Sequence, residues 1–268
     1  MRVRWLGWAG VEIESAGESV IIDALADPAA TFAALGDAAA RAQLPRVLPP
    51  SCAGRAAAAL VTHLHRDHAD ADALSAALAD GARVHEPPRW AGARADNLAI
   101  AQADAELDRA DVRREPVEIW DSRTAGPFTL TALPAMDGLG DSQVSWLVES
   151  DDLRVLHLGD TIFHSYWWRI ARRHGPFDLV LAPINGAVVS FPHMRPSSPL
   201  ASTMEPEQAA LAGELLGARA VVPIHYDGYS AEHLYEPVAQ ARERFLAASA
   251  GRAARPEVLE LGASIEVG

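Results

Sequence analysis

Apolar positions near the start of the chain recur every second residue: Val3 and Trp5, then Val11 and Ile13, stand between polar neighbours. That spacing predicts half-buried strands, with Gly7, Gly10 and Gly17 as turn residues between them. Residues 19–23 are a third short apolar run and predict another strand. Pro28 opens an alanine-rich stretch to about residue 42, which predicts a helix; Pro45, Pro49 and Pro50 break it. A buried strand is predicted over 57–62, a helix over 71–80 closed by Gly81, and a strand over 83–85. Residues 87–114 are polar and read as helical or irregular.

The second half repeats this order. Runs at 117–120, 128–133, 143–149 and 153–158, each bounded by turn residues, predict strands. A helix over 164–174 leads to a strand at 179–182 and to a Pro- and Ser-rich loop over 190–202. Pro206, between Glu205 and Glu207, predicts the start of a helix that Gly217 closes. A strand over 220–224, a helix over 235–250 and two short terminal strands complete the pattern. No internal repeat or long flexible linker divides the chain. Two strand-rich halves, each passing into strand–helix alternation, are buried best as two packed sheets with helices outside. The predicted fold is α/β, a four-layer α/β/β/α sandwich with two mixed sheets, as one domain over 1–268.

Composition narrows the function. With 49% hydrophobic and 22% charged residues, the 268-residue chain is neither disordered nor collagen-like. The net charge is −13, and every basic residue is an arginine. That balance argues against a protein built to grip a nucleic-acid backbone, which needs a concentrated positive surface. Cys52 is the only cysteine, so no intrachain disulfide forms and a reducing cytoplasm is expected. The opening MRVRWLGWAG meets charge and glycine too early for a signal peptide. No apolar run approaches the ~20 residues of a bilayer span, so no membrane association is expected.

The chemistry concentrates in Thr62-His63-Leu64-His65-Arg66-Asp67-His68, directly after a predicted buried strand. His63 and His65 are two apart, so an extended chain points them the same way. Asp67 and His68 sit where the chain turns and can face a different point. Imidazole and carboxylate together are ligands for zinc, iron or manganese, and this spacing suits two ions side by side. Asp160, in Leu158-Gly159-Asp160, and His225, after Val221-Val222-Pro223-Ile224, follow apolar strands in the same way.

The set His63-x-His65-x-Asp67-His68, Gly159-Asp160-Thr161 and Ile224-His225-Tyr226 resembles the metallo-β-lactamase superfamily. Trp5-Leu6-Gly7, the strand ending in Asp23 and the order of the motifs fit along nearly the whole chain. Pro183-Ile184-Asn185-Gly186 and His225-Tyr226-Asp227 are similar to the L-ascorbate-6-phosphate lactonase-like branch, and Thr203-Met204-Glu205-Pro206-Glu207 is similar to a segment of its relatives. The resemblance implies two divalent metal ions: manganese, zinc or iron. His63 and His65 would hold the first with a third ligand downstream; Asp67, His68 and His225 would hold the second; Asp160 would bridge them. A water or hydroxide between the metals would be the nucleophile, with Asp67 and Asp160 as the catalytic candidates, either of which would orient it and accept its proton.

Two positions depart from the family pattern. Relatives place a His two residues after the alanine of Pro-Ala-x-His, whereas this chain reads Pro134-Ala135-Met136-Asp137. Asp137 is therefore expected as the third ligand, with Asp141 as the alternative. A carboxylate there removes one positive charge from the centre and favours manganese or iron over zinc. Trp8 stands where many relatives have a His after Trp-Leu-Gly, so any contribution from that position is expected to be lost.

Candidate substrate contacts are Asn185 after a strand end, His193 and Arg195 on the long loop, and Tyr226 beside a ligand. Arg66 faces either solvent or a substrate anion; His157 is expected to be a satisfied structural histidine, and Tyr166, Trp167 and Trp168 core or interface anchors. The leading expectation is a metal-dependent hydrolase, with metal-bound hydroxide acting on a small-molecule lactone, ester or phosphodiester. The alternatives are a nuclease, a di-iron oxidoreductase and a non-catalytic binding protein with a degenerate metal site. The expected partner is a small molecule, with no nucleic acid and no membrane; a homo-oligomer is compatible.

Overall fold

The computed structural model describes residues 1–33, 42–89, 100–192 and 194–268, and its long strands form two seven-stranded sheets. In the first, β1 (Arg2–Gly7), β2 (Gly10–Ser15) and β3 (Glu18–Ile22) run antiparallel; β4 (Ala56–Leu60), β5 (Leu78–Glu86) and β6 (Arg113–Pro116) continue in parallel. In the second, β7 (Ser122–Ala125), β8 (Phe128–Pro134), β9 (Val144–Ser150) and β10 (Leu153–His157) run antiparallel. Beyond β10, β11 (Phe177–Pro183), β13 (Ala218–Ile224) and β15 (Arg255–Pro256) are parallel. A separate pair joins β12 (Val188–Val189) to β14 (Tyr235–Glu236), and β16 (Ser264–Glu266) lines the edge of the first sheet against β1.

Burial explains the layering. Successive strand residues face opposite sides, so Ile22 and Leu60 enter the core between the sheets while Ile21, Ala59 and Val61 face outward. The outward face of the first sheet is covered by α2 (Ala71–Ala77) and α3 (Ala101–Arg109), through Leu74, Ala103 and Leu107. The outward face of the second, with Leu156 and Val180, is covered by α4 (Trp167–His174), α5 (Pro206–Leu216) and α6 (Ala241–Ser249). Strands buried on both faces need apolar residues along their length, which is why β4 reads as an unbroken apolar run and β11 as one from Leu179 onward. This is the four-layer sandwich that the sequence predicts. Among the described residues no helix is long and apolar enough to cross a membrane.

Three local readings are corrected. The helix from Ala71 ends at Ala77, not at Gly81, because Leu78 turns extended and pairs with Ala56; Gly81 lies inside β5. Residues 117–120 form no strand: Trp120 has φ of +79°, and the segment links β6, at one edge of the first sheet, to β7, at one edge of the second. Tyr235 belongs to β14, paired with Val189, and the last helix begins at Ala241. The helix that opens at Pro28 runs over Pro28–Ala33 (α1); the rest of its predicted length lies outside the described residues. By contrast α5 matches its signals, with Glu205 and Gln208 forming a reciprocal cap and Gly217 closing the helix at φ of +70°.

The site follows from this topology. β3 and β4 are parallel, as are β10, β11 and β13, so their carboxyl ends gather at one edge of the sandwich. Open α/β sheets bind ligands at that edge. Asp23, Thr62 to His68, Asp160, Asn185 and His225 all follow those strand ends.

Candidate metal centre

Among the described residues three groups of ligand-type atoms cluster, each with its atoms within 4.8 Å of one another: His63, His65 and Asp160; Asp67, His68 and His225; and His65, Asp137 and Asp141. Asp160 links the first two. Its Oδ1 lies 3.7 Å from Nε2 of His63 and its Oδ2 lies 3.8 Å from Nε2 of His68. The Gln143 amide holds the carboxylate from the side, donating to Oδ1 at 2.9 Å. Asp67 Oδ2 stands 3.5 Å from Nε2 of His68 and 3.7 Å from Nε2 of His225.

Asp23 organises two of the imidazoles from behind. Its Oδ1 accepts the Thr62 backbone N–H, and its Oδ2 accepts both the Thr62 hydroxyl at 2.7 Å and Nδ1–H of His68 at 2.8 Å. The one proton of the Thr62 hydroxyl goes to that carboxylate, so its oxygen accepts Nδ1–H of His63 at 3.0 Å. Both rings therefore turn Nε2 towards the site. Fixing a ring through its remote nitrogen is the usual support of a metal-binding histidine.

The charge pattern around the ligands is strongly polarised. Burial, with His68 and His65 alongside, pushes the His63 pKa well below its ordinary value. Burial also opposes charge on His65, but Asp137 and Asp141 outweigh it and lift its pKa to about 9. For His68 the same penalty is outweighed by Asp67 and Asp23, and its pKa rises to about 10. Burial pushes Asp137 up to about 6 against the pull of His65, with Asp160 adding to the rise. The burial penalty on Asp67 is overcome by His68 and His225, which hold it well below the usual carboxylate range.

The donor set fits divalent cations. Among the described residues, Nε2 of His63 and Oδ2 of Asp137 are buried without a hydrogen-bond partner, which is costly unless something else meets them. Nε2 of His68 and Nε2 of His225 lie 3.2 Å apart; two ring nitrogens that close must share a proton or a cation. The ligand set is imidazole and carboxylate throughout, the chemistry of zinc, manganese and iron sites.

Asp137 and Asp141 both reach His65. The Asp137 Oδ1 accepts the Leu139 N–H in its own turn, leaving Oδ2 at 3.5 Å from Nε2 of His65; Asp141 Oδ2 lies at 2.9 Å from the same nitrogen. Asn185 is 1% exposed and its amide lies between His225 Nδ1 at 3.0 Å, the Tyr235 hydroxyl at 2.6 Å and the Thr203 hydroxyl. Tyr226 is buried and stacks on Trp5. Arg195 is exposed on the 190–202 loop, and His193 lies outside the described residues. Arg66 turns away from the cluster, forking onto Glu106 and donating to the carbonyls of Ala30 and Thr31. His157 donates Nε2–H to the Ala9 carbonyl and accepts the Gly159 N–H. Trp167 is buried in the core beneath α4, while Trp168 is exposed.

Sequence reasoning named Asp23 and Thr62 without giving them a role, passed over Gln143, and expected no contribution from Trp8. The Trp8 indole donates to Asp67 Oδ2 at 2.9 Å, so that position contributes a hydrogen bond to a candidate ligand. The available signals were small: an Asp closing an apolar strand, and a Thr directly before the first His.

The family described as β-lactamase superfamily domain matches residues 18–226. A UPF0173 metal-dependent hydrolase of Thermococcus onnurineus is 28% identical over 91% of this chain and 90% of its own length. Among solved structures, the isothiocyanate hydrolase from Delia radicum gut bacteria superposes with a TM-score of 0.68 at 18% identity, covering 100% of this chain and 99% of that one. CmlA, a diiron β-hydroxylase from Streptomyces venezuelae, superposes with a TM-score of 0.72 at 16% identity over 99% of this chain and 54% of its own. Two mixed sheets flanked by helices are the fold shared with these structures.

Proposed function

The chain belongs to the β-lactamase superfamily domain family and is a metal-dependent hydrolase of it, and we propose that it hydrolyses a small-molecule lactone, ester or phosphodiester at a binuclear centre. The observation that carries this reading is the pair of clusters joined by Asp160, one oxygen to each, with Nε2 of His63 left unpartnered between them. His63, His65 and Asp137 would hold one cation, Asp67, His68 and His225 the other, with Asp160 shared. Bound there, a pair of divalent ions supplies Lewis acidity towards a carbonyl or phosphoryl oxygen and acidifies water.

The protein's own part is positional. Asp160, braced by Gln143, sets the spacing of the two clusters. Asp67 is kept ionised by His68 and His225 and, with Asp160, would orient the attacking water. Arg195, exposed on the 190–202 loop, is a proposed substrate contact, and the sequence offers His193 as another. With Arg66 committed to Glu106, the support for a phosphorylated lactone is weaker than for an uncharged one. The lone, buried Cys52 fits work in a reducing cytoplasm.

The test is elemental analysis of protein purified without added metal or chelator, followed by turnover on lactones, esters, phosphodiesters and nucleic acids. We expect two equivalents of manganese, iron or zinc, turnover of one of the small-molecule classes, and loss of turnover in His65→Ala and Asp160→Ala. Retained turnover in both variants would sink the binuclear reading. A di-iron oxidoreductase is the second reading, favoured by the three carboxylates, Asp137, Asp141 and Asp160, gathered at His65 and His63. Two histidines with a carboxylate are a familiar non-haem iron set, and CmlA shares the fold. Iron retained on purification, with oxygen consumed under a reductant and no hydrolysis, would move the assignment there.

A further inference from the structure

Trp8 occupies the tight turn between β1 and β2 at φ of +51°, in the left-handed region. Glycine is the residue that conformation favours, so a buried tryptophan there is held against backbone strain, and such strain is worth tracing to what the side chain touches. The indole is 2% exposed. Its N–H donates to Asp67 Oδ2, the same oxygen that faces Nε2 of His68 and of His225. Its ring lies against the His225 imidazole with centroids 3.8 Å apart. Its carbonyl accepts the His225 N–H at 2.9 Å, where His225 has φ of +53°. Phe32 packs edge-on against the ring, and a Cβ at Gly228 would come within 2.5 Å of it. One residue of the β1–β2 turn thus holds two residues of one cluster, Asp67 after β4 and His225 after β13 of the second sheet.

We propose that Trp8 is a positioning residue for the Asp67–His68–His225 cluster: its indole N–H sets the rotation of the Asp67 carboxylate, and its ring and carbonyl set His225. The inference rests on the binuclear reading above. An Asp carboxylate turns about a broad torsion, so a fixed donor on one lone pair of Oδ2 leaves the other aimed at the two histidines. A divalent cation then meets a ligand set that is already arranged, and little ordering is left for the moment of binding.

Metal-free protein titrated with zinc against a chromophoric chelator tests this. Wild type is expected to take up two equivalents. Trp8→Phe, which keeps a ring and loses the N–H, should weaken by roughly 10- to 100-fold the equivalent that His225→Ala removes, the usual effect of losing an outer-sphere partner. The other equivalent should stay within about twofold, and Trp8→His should regain part of the loss. Folded Trp8→Phe that binds both equivalents as wild type does, or loses both alike, overturns the proposal. Wild type that takes up fewer than two zinc ions overturns the binuclear reading and this inference with it. A second readout needs no variant to bind metal: in protein labelled with 15N-tryptophan, the Trp8 indole N–H resonance should move with the equivalent that His225→Ala removes and not with the other. No shift with either equivalent also overturns it.

Discussion

Nδ1 of His68 lies 2.8 Å from Oδ2 of Asp23, and neither side chain is exposed. The same carboxylate takes the Thr62 hydroxyl and so fixes His63 as well. One buried aspartate thereby sets the tautomer of a histidine in each of the two clusters. Asp23→Asn keeps the shape but offers an amide N–H to one of these donors. We expect both metal equivalents to weaken, by roughly 10- to 100-fold, and the metal-free fold to lose about 1–3 kcal/mol. Chelator competition and urea unfolding measure the two effects, and unchanged affinity for both equivalents would show that Asp23 supports the fold alone.

Protons stand in for cations in the metal-free protein. The pKa of His65 is lifted to about 9 and that of His68 to about 10, both above the ordinary 6.5, by the carboxylates around them. The folded state therefore holds protons that the unfolded chain gives up. The stability from these contacts is fully present below pH 6.5 and is lost as pH rises through 9 and 10. The melting temperature of metal-free protein should fall across that window. Zinc-loaded protein should fall less, and metal uptake below about pH 9 should release protons. A metal-free melting temperature that is flat from pH 6.5 to 10 would contradict the proton-filled cluster.

The sequence disclosed what is local and concealed what depends on pairing. The layered fold was legible because β4 and the 179–182 stretch of β11 are apolar throughout and the first antiparallel strands alternate. His63 to His68, Asp160 and His225 stood out as polar residues directly after apolar strands. Asp23 also closes an apolar strand, but its role was not legible, because it depends on the parallel register that sets Ile22 beside Leu60 and so brings Asp23 to Thr62. Trp8 was read as a lost function because a motif records residue type, whereas its hydrogen bond to Asp67 needs the β1–β2 turn folded over the β4 loop. Gly81 misled for a related reason: it is a plausible helix stop in sequence, but pairing of Leu78 with Ala56 ended the helix first.

The carboxylate at position 137 should govern which metal is kept. Its Oδ2 is buried, unpartnered and 3.5 Å from Nε2 of His65, with Asp141 on the same nitrogen. Oxygen-rich sets favour manganese and iron relative to an imidazole-rich set. Asp137→His should shift the metal retained on purification towards zinc. Asp141→Asn should weaken one equivalent if that carboxylate is also a ligand. Elemental analysis of the three proteins, expressed in one medium, decides it; an unchanged metal ratio in Asp137→His would remove position 137 from the ligand set.

Asn185 separates a metal role from a substrate role. Its amide stands 3.0 Å from Nδ1 of His225, 2.6 Å from the Tyr235 hydroxyl and against Thr203, and it is almost fully buried. A cation at Nε2 of His225 places the ring proton on Nδ1, which then needs an acceptor. The amide oxygen supplies one if the group is turned about its end, an orientation that the hydrogen-bond network decides. The Tyr235 hydroxyl can donate to that same oxygen, while the amide NH2 donates to Thr203. Asn185→Ala should therefore weaken the equivalent that His225→Ala removes, by about tenfold or more. Its turnover should recover in excess metal with KM nearly unchanged. The opposite pattern, raised KM with metal affinity intact, would make Asn185 a substrate contact and leave His225 oriented by Trp8 alone.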